Sequence, residues 1–139
     1  MNNQEHIVAV VDPTVEEDST LDLAQEVVAR GGRATVMVLA SRATIAGMTA
    51  FADAEDLPFP DAREIYLQRL ARQYHERFNG NVTPTIFTGV DSSTFIFARA
   101  AADAATVIAV PQRLTKKRGW RNSVAESKVP VLIAPVKAA

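Results

Sequence analysis

Short uninterrupted apolar runs alternate along this chain with longer stretches in which apolar residues recur every three or four positions. Uninterrupted runs rich in β-branched residues are typical of parallel strands that are covered on both faces. The pattern predicts five strands, at Ile7 to Val11, Ala34 to Ala40, Val82 to Thr88, Thr106 to Val110 and Val129 to Val136.

Three of the four connections between these strands have the spacing of amphipathic helices. The first of these helices should end at Gly31-Gly32, because glycine favours the left-handed turn that closes a helix. The last connection is short and polar, and its Asn122-Ser123 pair fits the N-cap of a short helix. Asp18 or Ser19 should cap the first helix, and the next two should begin at Asp61 and near Thr94.

Residues 41–60 are the hardest part of the chain to interpret. Ile45, Met48 and Phe51 have helical spacing in an alanine-rich stretch, but Leu57-Pro58-Phe59-Pro60 cannot continue a helix. One interpretation is a lid over a pocket. The other, which we favour, is a short packing helix followed by a long connection.

Prolines indicate where the strands lie in the sheet. Pro84 removes a backbone donor from the third strand, and Pro130 and Pro135 do the same for the fifth, so both strands should lie at edges. The simplest arrangement is an α/β fold: an open, doubly wound, parallel five-stranded sheet of order 3-2-1-4-5 with helices on both faces. The order reverses between strands one and four, which predicts a ligand crevice where Asp12 and Pro111 leave the sheet.

Composition narrows the classes of function. The 139 residues are 47% hydrophobic and 22% charged, which fits one globular domain spanning 1–139. The chain has no cysteine, and no apolar run approaches the roughly 18 residues of a membrane span. A net charge of -1 gives no general attraction for nucleic acid. We therefore expect a cytoplasmic protein with no metal site and no membrane or nucleic-acid partner.

Basic residues concentrate between the last two predicted strands. The segment is either a solvated connection, as most charge runs are, or an anion site helped by the N–H groups of the following helix. Trp120 in this segment either stacks on a base or packs the segment onto the body, and we favour packing. The four candidate anion-binding side chains are Arg113, Lys116, Lys117 and Arg118.

A family resemblance extends from this region over essentially the whole chain. It rests on a first strand ending in Asp12, a Gly89-Val90-Asp91 turn, the run Asn122-Ser123-Val124-Ala125 and a closing strand Val129-Pro130-Val131-Leu132-Ile133. In order and in sequence these elements resemble the universal stress protein family. That family carries a nucleotide loop of the form Gly, two residues, Gly, nine residues, Gly-Ser. Here Pro111, Leu114 and Asn122 stand at the glycine positions, and the loop is two residues shorter.

The resemblance implies an adenine nucleotide as the ligand. The strand-one aspartate would hold the adenosine, the end of strand two would lie by the base, and the loop would surround the phosphates. Carried over by position, the implied site consists of Asp12, Ala40, Pro111, Arg113, Leu114, Asn122, Ser123, Val124 and Ala125.

The missing glycines predict a degenerate loop. Pro111 has no N–H to donate and Leu114 adds bulk, so binding of phosphate by the backbone should be impaired. The basic side chains would replace only part of that binding. We expect ATP to bind poorly, whereas a mononucleotide or a smaller anion should fit.

The sequence leaves two candidate functions for this chain. The first is a universal-stress-like, dimeric binding or regulatory module in stress response without turnover chemistry, since no pair of nucleophile and base is visible. Its dimer would form through the edge of strand five at Val131, Leu132 and Ile133. The alternative is a sensor of ATP, AMP or cyclic AMP, or a slow ATPase, that uses Asp12, Arg113 and Ser123.

Overall fold

The structure is a computed structural model that describes residues 4–12, 19–79, 82–88 and 93–135. Its strands are β1 (His6–Val11), β2 (Arg33–Ala40), β3 (Val82–Thr88), β4 (Val107–Pro111) and β5 (Val131–Ala134). They form one parallel sheet in the order β3-β2-β1-β4-β5, so the predicted fold class and strand order are confirmed. The predicted Gly89-Val90-Asp91 turn and the predicted strand end at Val136 lie outside the described residues.

Helices connect these strands on both sides of the sheet. The first begins at Ser19, so Ser19 is not its cap, and the other predicted cap, Asp18, lies outside the described residues. Gly31 follows this helix with a φ of 90°, as glycine after a helix end often has. The third begins at Phe59 rather than at Asp61, because proline is well accommodated in the first turn of a helix. The described helices are α1 (Ser19–Ala29), α2 (Arg42–Ala54), α3 (Phe59–Phe78), α4 (Ser93–Ala102) and α5 (Arg118–Glu126), with a 3₁₀ helix at Gln112–Lys116.

The burial of β1 shows how the sheet is covered. All six of its residues are buried. Ile7 and Ala9 belong to the core layer shared with α1, α2 and α3, whereas Val8 and Val10 belong to the layer shared with α4 and α5. Because both faces are filled in this way, a ligand can reach the sheet itself only at its ends or edges.

The edge positions agree with the prolines. Among the described strands, β3 pairs with β2 alone and β5 with β4 alone. Pro84 lies within β3, but Pro130 and Pro135 flank β5, which is shorter than the predicted Val129 to Val136. Within the described ranges, no helix is long and apolar enough to cross a membrane, and no three His, Cys, Asp or Glu side chains are grouped to hold a metal ion.

Residues 41–60 do not form the predicted short helix and long connection. The helix α2 is 13 residues long, and only residues 55–58 separate it from α3, against which it packs. Ser41 caps α2, since its hydroxyl accepts a hydrogen bond from the Thr44 N–H at 3.3 Å. This cap and the high helix propensity of alanine carry the helix through Gly47.

The last connection also differs from the prediction. Because α5 begins at Arg118, Asn122 and Ser123 lie inside the helix, and the predicted cap is wrong. The N-cap residue is Lys117, whose side chain makes no capping hydrogen bond. The segment before it is no open loop but the 3₁₀ helix, closed by a 3.0 Å hydrogen bond from the Lys117 N–H to the Leu114 carbonyl. The earlier helix start changes which residues face the crevice.

Candidate functional site

A cavity of about 560 Å³ opens where β1, β2 and β4 end, at the point where the strand order reverses. Its volume lies within the range of about 300–1,000 Å³ that is usual for small-molecule sites. The other walls come from the start of α2 and from the segment that follows β4. The lining residues are Asp12, Leu39, Ala40, Ser41, Arg42, Ile45, Arg113, Leu114, Lys117 and Trp120.

Four of the residues implied by the family resemblance line this cavity. Asp12 follows β1, Ala40 ends β2, and Arg113 and Leu114 lie in the 3₁₀ helix after β4. Pro111 is buried at the end of β4 and precedes that 3₁₀ helix. These residues are far apart in the sequence, and they meet because parallel strands end at the same edge of the sheet.

The residues from Asn122 to Ala125 are not among those that line the cavity. Ser123 faces α4 instead, where its hydroxyl lies 2.8 Å from that of Ser93. Val124 packs against the core layer shared by α4 and α5. The phosphate-binding role implied for Asn122 to Ala125 required α5 to begin at these residues. Because α5 begins at Arg118, its first turn borders the cavity and these four residues lie farther along the helix.

Three cationic side chains and one carboxylate line the cavity, which gives the lining a formal charge of +2 (three minus one). A cavity of this charge attracts anions. Two of the four candidate anion-binding residues contribute, whereas Lys116 and Arg118 are exposed and are not lining residues. The charged lining residues are Arg42, Arg113, Lys117 and Asp12.

Asp12 and Arg113 form an ion pair in the cavity wall. The Arg113 Nη2 atom lies 3.8 Å from the Asp12 Oδ2 atom, which is longer than a hydrogen bond. The Arg113 side chain is 28% exposed and that of Asp12 is 12% exposed. Because both groups are partly buried, salt screens this attraction less than it screens a surface pair.

Two helix N-termini also border the cavity. Ser41 and Arg42 begin α2, while Lys117 and Trp120 lie at the start of α5. The first N–H groups of a helix have no acceptor within the helix and carry the positive end of its dipole. Since no side chain caps α5, the N–H groups of its first turn can donate to an anion beside Lys117.

Leu114 and Trp120 form the apolar part of the wall and also belong to the core. Each is only 2% exposed. The ring of Trp120 meets that of Phe97 edge-on, with 6.2 Å between the ring centroids. The packing that we favoured for Trp120 is therefore present, and the core takes up most of the bulk of Leu114.

Ser41, Arg42 and Ile45 are lining residues that the sequence reasoning missed. One sequence feature could have revealed them. Ser41 directly precedes the helical spacing of Ile45, Met48 and Phe51, so it stands where an N-cap residue belongs. A helix that begins immediately after a parallel strand must start at the carboxyl edge of the sheet, where ligands bind.

No protein-family model and no curated protein matches this chain. Several solved structures match it along nearly its whole length. A universal stress protein in complex with cAMP has 15% sequence identity and a TM-score of 0.58 over 98% of this chain and 100% of that chain. A universal stress protein from Archaeoglobus fulgidus in complex with dAMP has 16% identity and a TM-score of 0.61 over 99% and 100%. UspA from Lactobacillus plantarum has 16% identity and a TM-score of 0.56 over 96% and 99%.

These similarities establish that the chain has the fold of the universal stress proteins, as the resemblance implied. They agree with the parallel sheet of order β3-β2-β1-β4-β5.

Proposed function

We propose that this chain is a member of the universal stress protein family that acts in the cytoplasm as a regulatory module and binds a small adenine nucleotide without turning it over. The observation that carries the proposal is the cationic cavity at the reversal point of the strand order. Two proteins with the same fold were solved with the mononucleotides cAMP and dAMP. That precedent supports a nucleotide over other anions.

The charges of the cavity suit a ligand with one phosphate group. Arg42 and Lys117 stand at the starts of two helices, so their side chains and the first N–H groups of each helix act on the same region. The carboxylate of Asp12 is an acceptor for the hydroxyl groups of a ribose. The cavity therefore combines donors for a phosphate with an acceptor for a sugar.

The backbone around β4 supports the expectation that ATP binds poorly. Pro111 has no N–H, and the 3₁₀ helix uses the Lys117 N–H internally. The Thr115 hydroxyl is also used, since it donates to the Gln112 carbonyl at 2.6 Å. Each backbone hydrogen bond to a charged phosphate that is lost costs about 1.5 to 3 kcal/mol, so losing two or three weakens binding by several orders of magnitude.

The lining residues also support binding without catalysis. Among the described residues that line the cavity, Asp12 is the one carboxylate, and there is no histidine or cysteine. An activated nucleophile requires an adjacent base and a group that orients it. We therefore favour a regulatory module over the alternative, a slow ATPase.

Isothermal titration calorimetry with AMP, cAMP and ATP with Mg²⁺ tests the proposal. We expect AMP or cAMP to bind and ATP to bind much more weakly. Lys117→Gln should weaken AMP binding by about tenfold, as expected for the loss of one charge-assisted contact. The matched control is Lys116→Gln, a neighbouring exposed lysine outside the lining, which should leave the affinity unchanged.

Two outcomes would count against the proposal. A dissociation constant for ATP at or below about one micromolar would favour the sensor or ATPase alternative. If none of the three nucleotides gave heat on titration, the proposal that this chain binds an adenine nucleotide would be wrong.

Dimerisation through β5 is the second part of the proposal. Leu132 is 47% exposed and Ile133 is 43% exposed on this edge strand. A two-fold axis beside β5 would bury both residues and pair the open strand edge with that of a second copy.

Light scattering tests this interface. Leu132→Lys should lower the mass from dimer to monomer at micromolar concentration. Phe95→Lys is the control, because Phe95 is 55% exposed but lies on α4 rather than on the edge strand. A monomeric mass for the unmodified protein, or a dimer that persists in Leu132→Lys, would exclude this interface.

A further inference from the structure

A second cavity, of about 320 Å³, lies between α2 and α3. Its volume is at the lower end of the range for small-molecule sites. It opens on a different side of α2 from the first cavity. Arg42 and Ile45 line the first, whereas Thr44, Gly47 and Met48 line the second.

The walls of this second cavity are mostly apolar. Two of its lining residues, Met48 and Ala62, are only 2% and 0% exposed. Gly47 leaves a gap in the α2 wall, because a Cβ atom placed there would meet no other atom within 4 Å. A flat apolar group fits such a space better than a hydrated polar one.

Two groups with donor capacity stand among these apolar walls. The guanidinium of Arg69 lies 5.0 Å from the centroid of the Phe51 ring, and no carboxylate of the described residues forms an ion pair with it. The hydroxyl of Tyr66 has no hydrogen-bond partner among the described residues. Burial, and secondarily the charge of Asp12, raises the pKa of Tyr66, so this hydroxyl remains a protonated donor at neutral pH.

We propose that the cavity between α2 and α3 is a second ligand site, which binds a small aromatic carboxylate. The ring would lie against Met48, Ala62 and the open space above Gly47. The carboxylate would pair with Arg69, since guanidinium binds carboxylate through paired N–H groups. This site shares no lining residue with the nucleotide cavity, so it does not depend on the function proposed above.

A pair of probes that differ in charge tests the proposal. Indole-3-carboxylate and indole-3-carboxamide are titrated separately into the ¹⁵N-labelled protein, and amide shifts are followed by NMR. We expect the carboxylate to bind saturably, about tenfold more tightly than the carboxamide, with shifts in residues 43–51 and 62–69. Failure of the carboxylate to bind at millimolar concentration, or equal affinity of the two probes, would overturn the proposal.

Substitutions test the gap at Gly47 and the carboxylate contact of Arg69 separately. Gly47→Leu should abolish binding of both probes by filling the gap, and it should not unfold α2 because leucine favours a helix more than glycine does. Arg69→Gln should remove the preference for the carboxylate, while Arg72→Gln, at an exposed position on the same helix, should retain it. Lys117→Gln should bind indole-3-carboxylate as the unmodified protein does. Unchanged binding in Gly47→Leu, or a preserved preference in Arg69→Gln, would place the probe elsewhere and contradict the proposal.

Discussion

The ion pairs at the two ends of the parallel sheet differ in their geometry. At the amino end, the Nε and Nη2 atoms of Arg30 bind the two carboxylate oxygens of Glu5 at 2.9 and 2.8 Å. At the carboxyl end, Arg113 and Asp12 are 3.8 Å apart. The tighter pair is the more exposed one, with side chains that are 55% and 44% exposed.

The same contrast holds for the other polar groups. The Nε2 atom of His6 lies 2.8 Å from the Thr35 hydroxyl, and the Thr106 hydroxyl donates to the His6 carbonyl at 3.1 Å. By contrast, Arg42 and Lys117 at the carboxyl end form no ion pair with the described residues. We conclude that these polar groups at the amino end bind one another, whereas Arg42 and Lys117 at the carboxyl end can bind a ligand.

The largest effect that we expect comes from a residue that belongs both to the lining of the cavity and to the core. Leu114→Ala should lower the free energy of unfolding by about 2 to 5 kcal/mol, because Leu114 is a cavity wall and is also buried in the core. Urea denaturation gives this value. Gln68→Ala is the control at an exposed position on α3, where the change should be within about 0.5 kcal/mol. Equal effects of the two substitutions would show that Leu114 does not support the core.

At the amino end we expect an intermediate effect, visible as a dependence of stability on pH. Burial, with a further contribution from the charge of Arg33, lowers the pKa of His6, while Asp103 opposes the shift. The unfolded chain therefore binds a proton more readily than the folded one, so stability is fully present above the ordinary histidine pKa of about 6.5 and falls as the pH drops below it.

Thermal unfolding between pH 7.5 and pH 5 measures this dependence. His6→Gln should flatten the curve over that interval. The control is His75→Gln, at an exposed position on α3, which should leave the curve as it is. If His6→Gln and the unmodified protein lose stability in parallel, the buried histidine is not the cause.

The smallest effect should follow from breaking the exposed ion pair at the amino end. Glu5→Gln removes the carboxylate whose pKa is lowered by its hydrogen bond with Arg30. Exposed pairs contribute little to stability, so the melting temperature should fall only slightly, and less at high salt. AMP affinity should not change. A loss of AMP affinity would show that the amino and carboxyl ends of the sheet are coupled, contrary to this expectation.

The sheet could be predicted from the sequence because its determinants are local. Runs such as Ile7 to Val11 must be buried on both faces, and Pro84 must lie at an edge, whatever the rest of the chain does. These features led to the strand order and to Asp12 at the reversal point, both of which the structure contains.

The details of the site were harder to predict because they depend on where two helices begin. Lys117 caps α5 without a side-chain hydrogen bond, and Gly119 lies in its first turn, so nothing local marks the start. The Asn122-Ser123 pair looks like a cap but is held inside α5 by the packing of Ser123 on Ser93. Tertiary contacts therefore overrode the local preference, and the residues from Asn122 to Ala125 are not among those that line the cavity.

The most direct test of this account is an NMR titration of the ¹⁵N-labelled protein with AMP. The account predicts that the amide shifts are concentrated at residues 40–45 and 113–120, which border the cavity at the carboxyl end. Residues 5–8 and 30–35 at the amino end should not shift, since Arg30 and Glu5 bind each other and the Nε2 atom of His6 lies beside the Thr35 hydroxyl. Shifts centred on the amino end, or on Ser123 and its neighbours between α4 and α5, would contradict it.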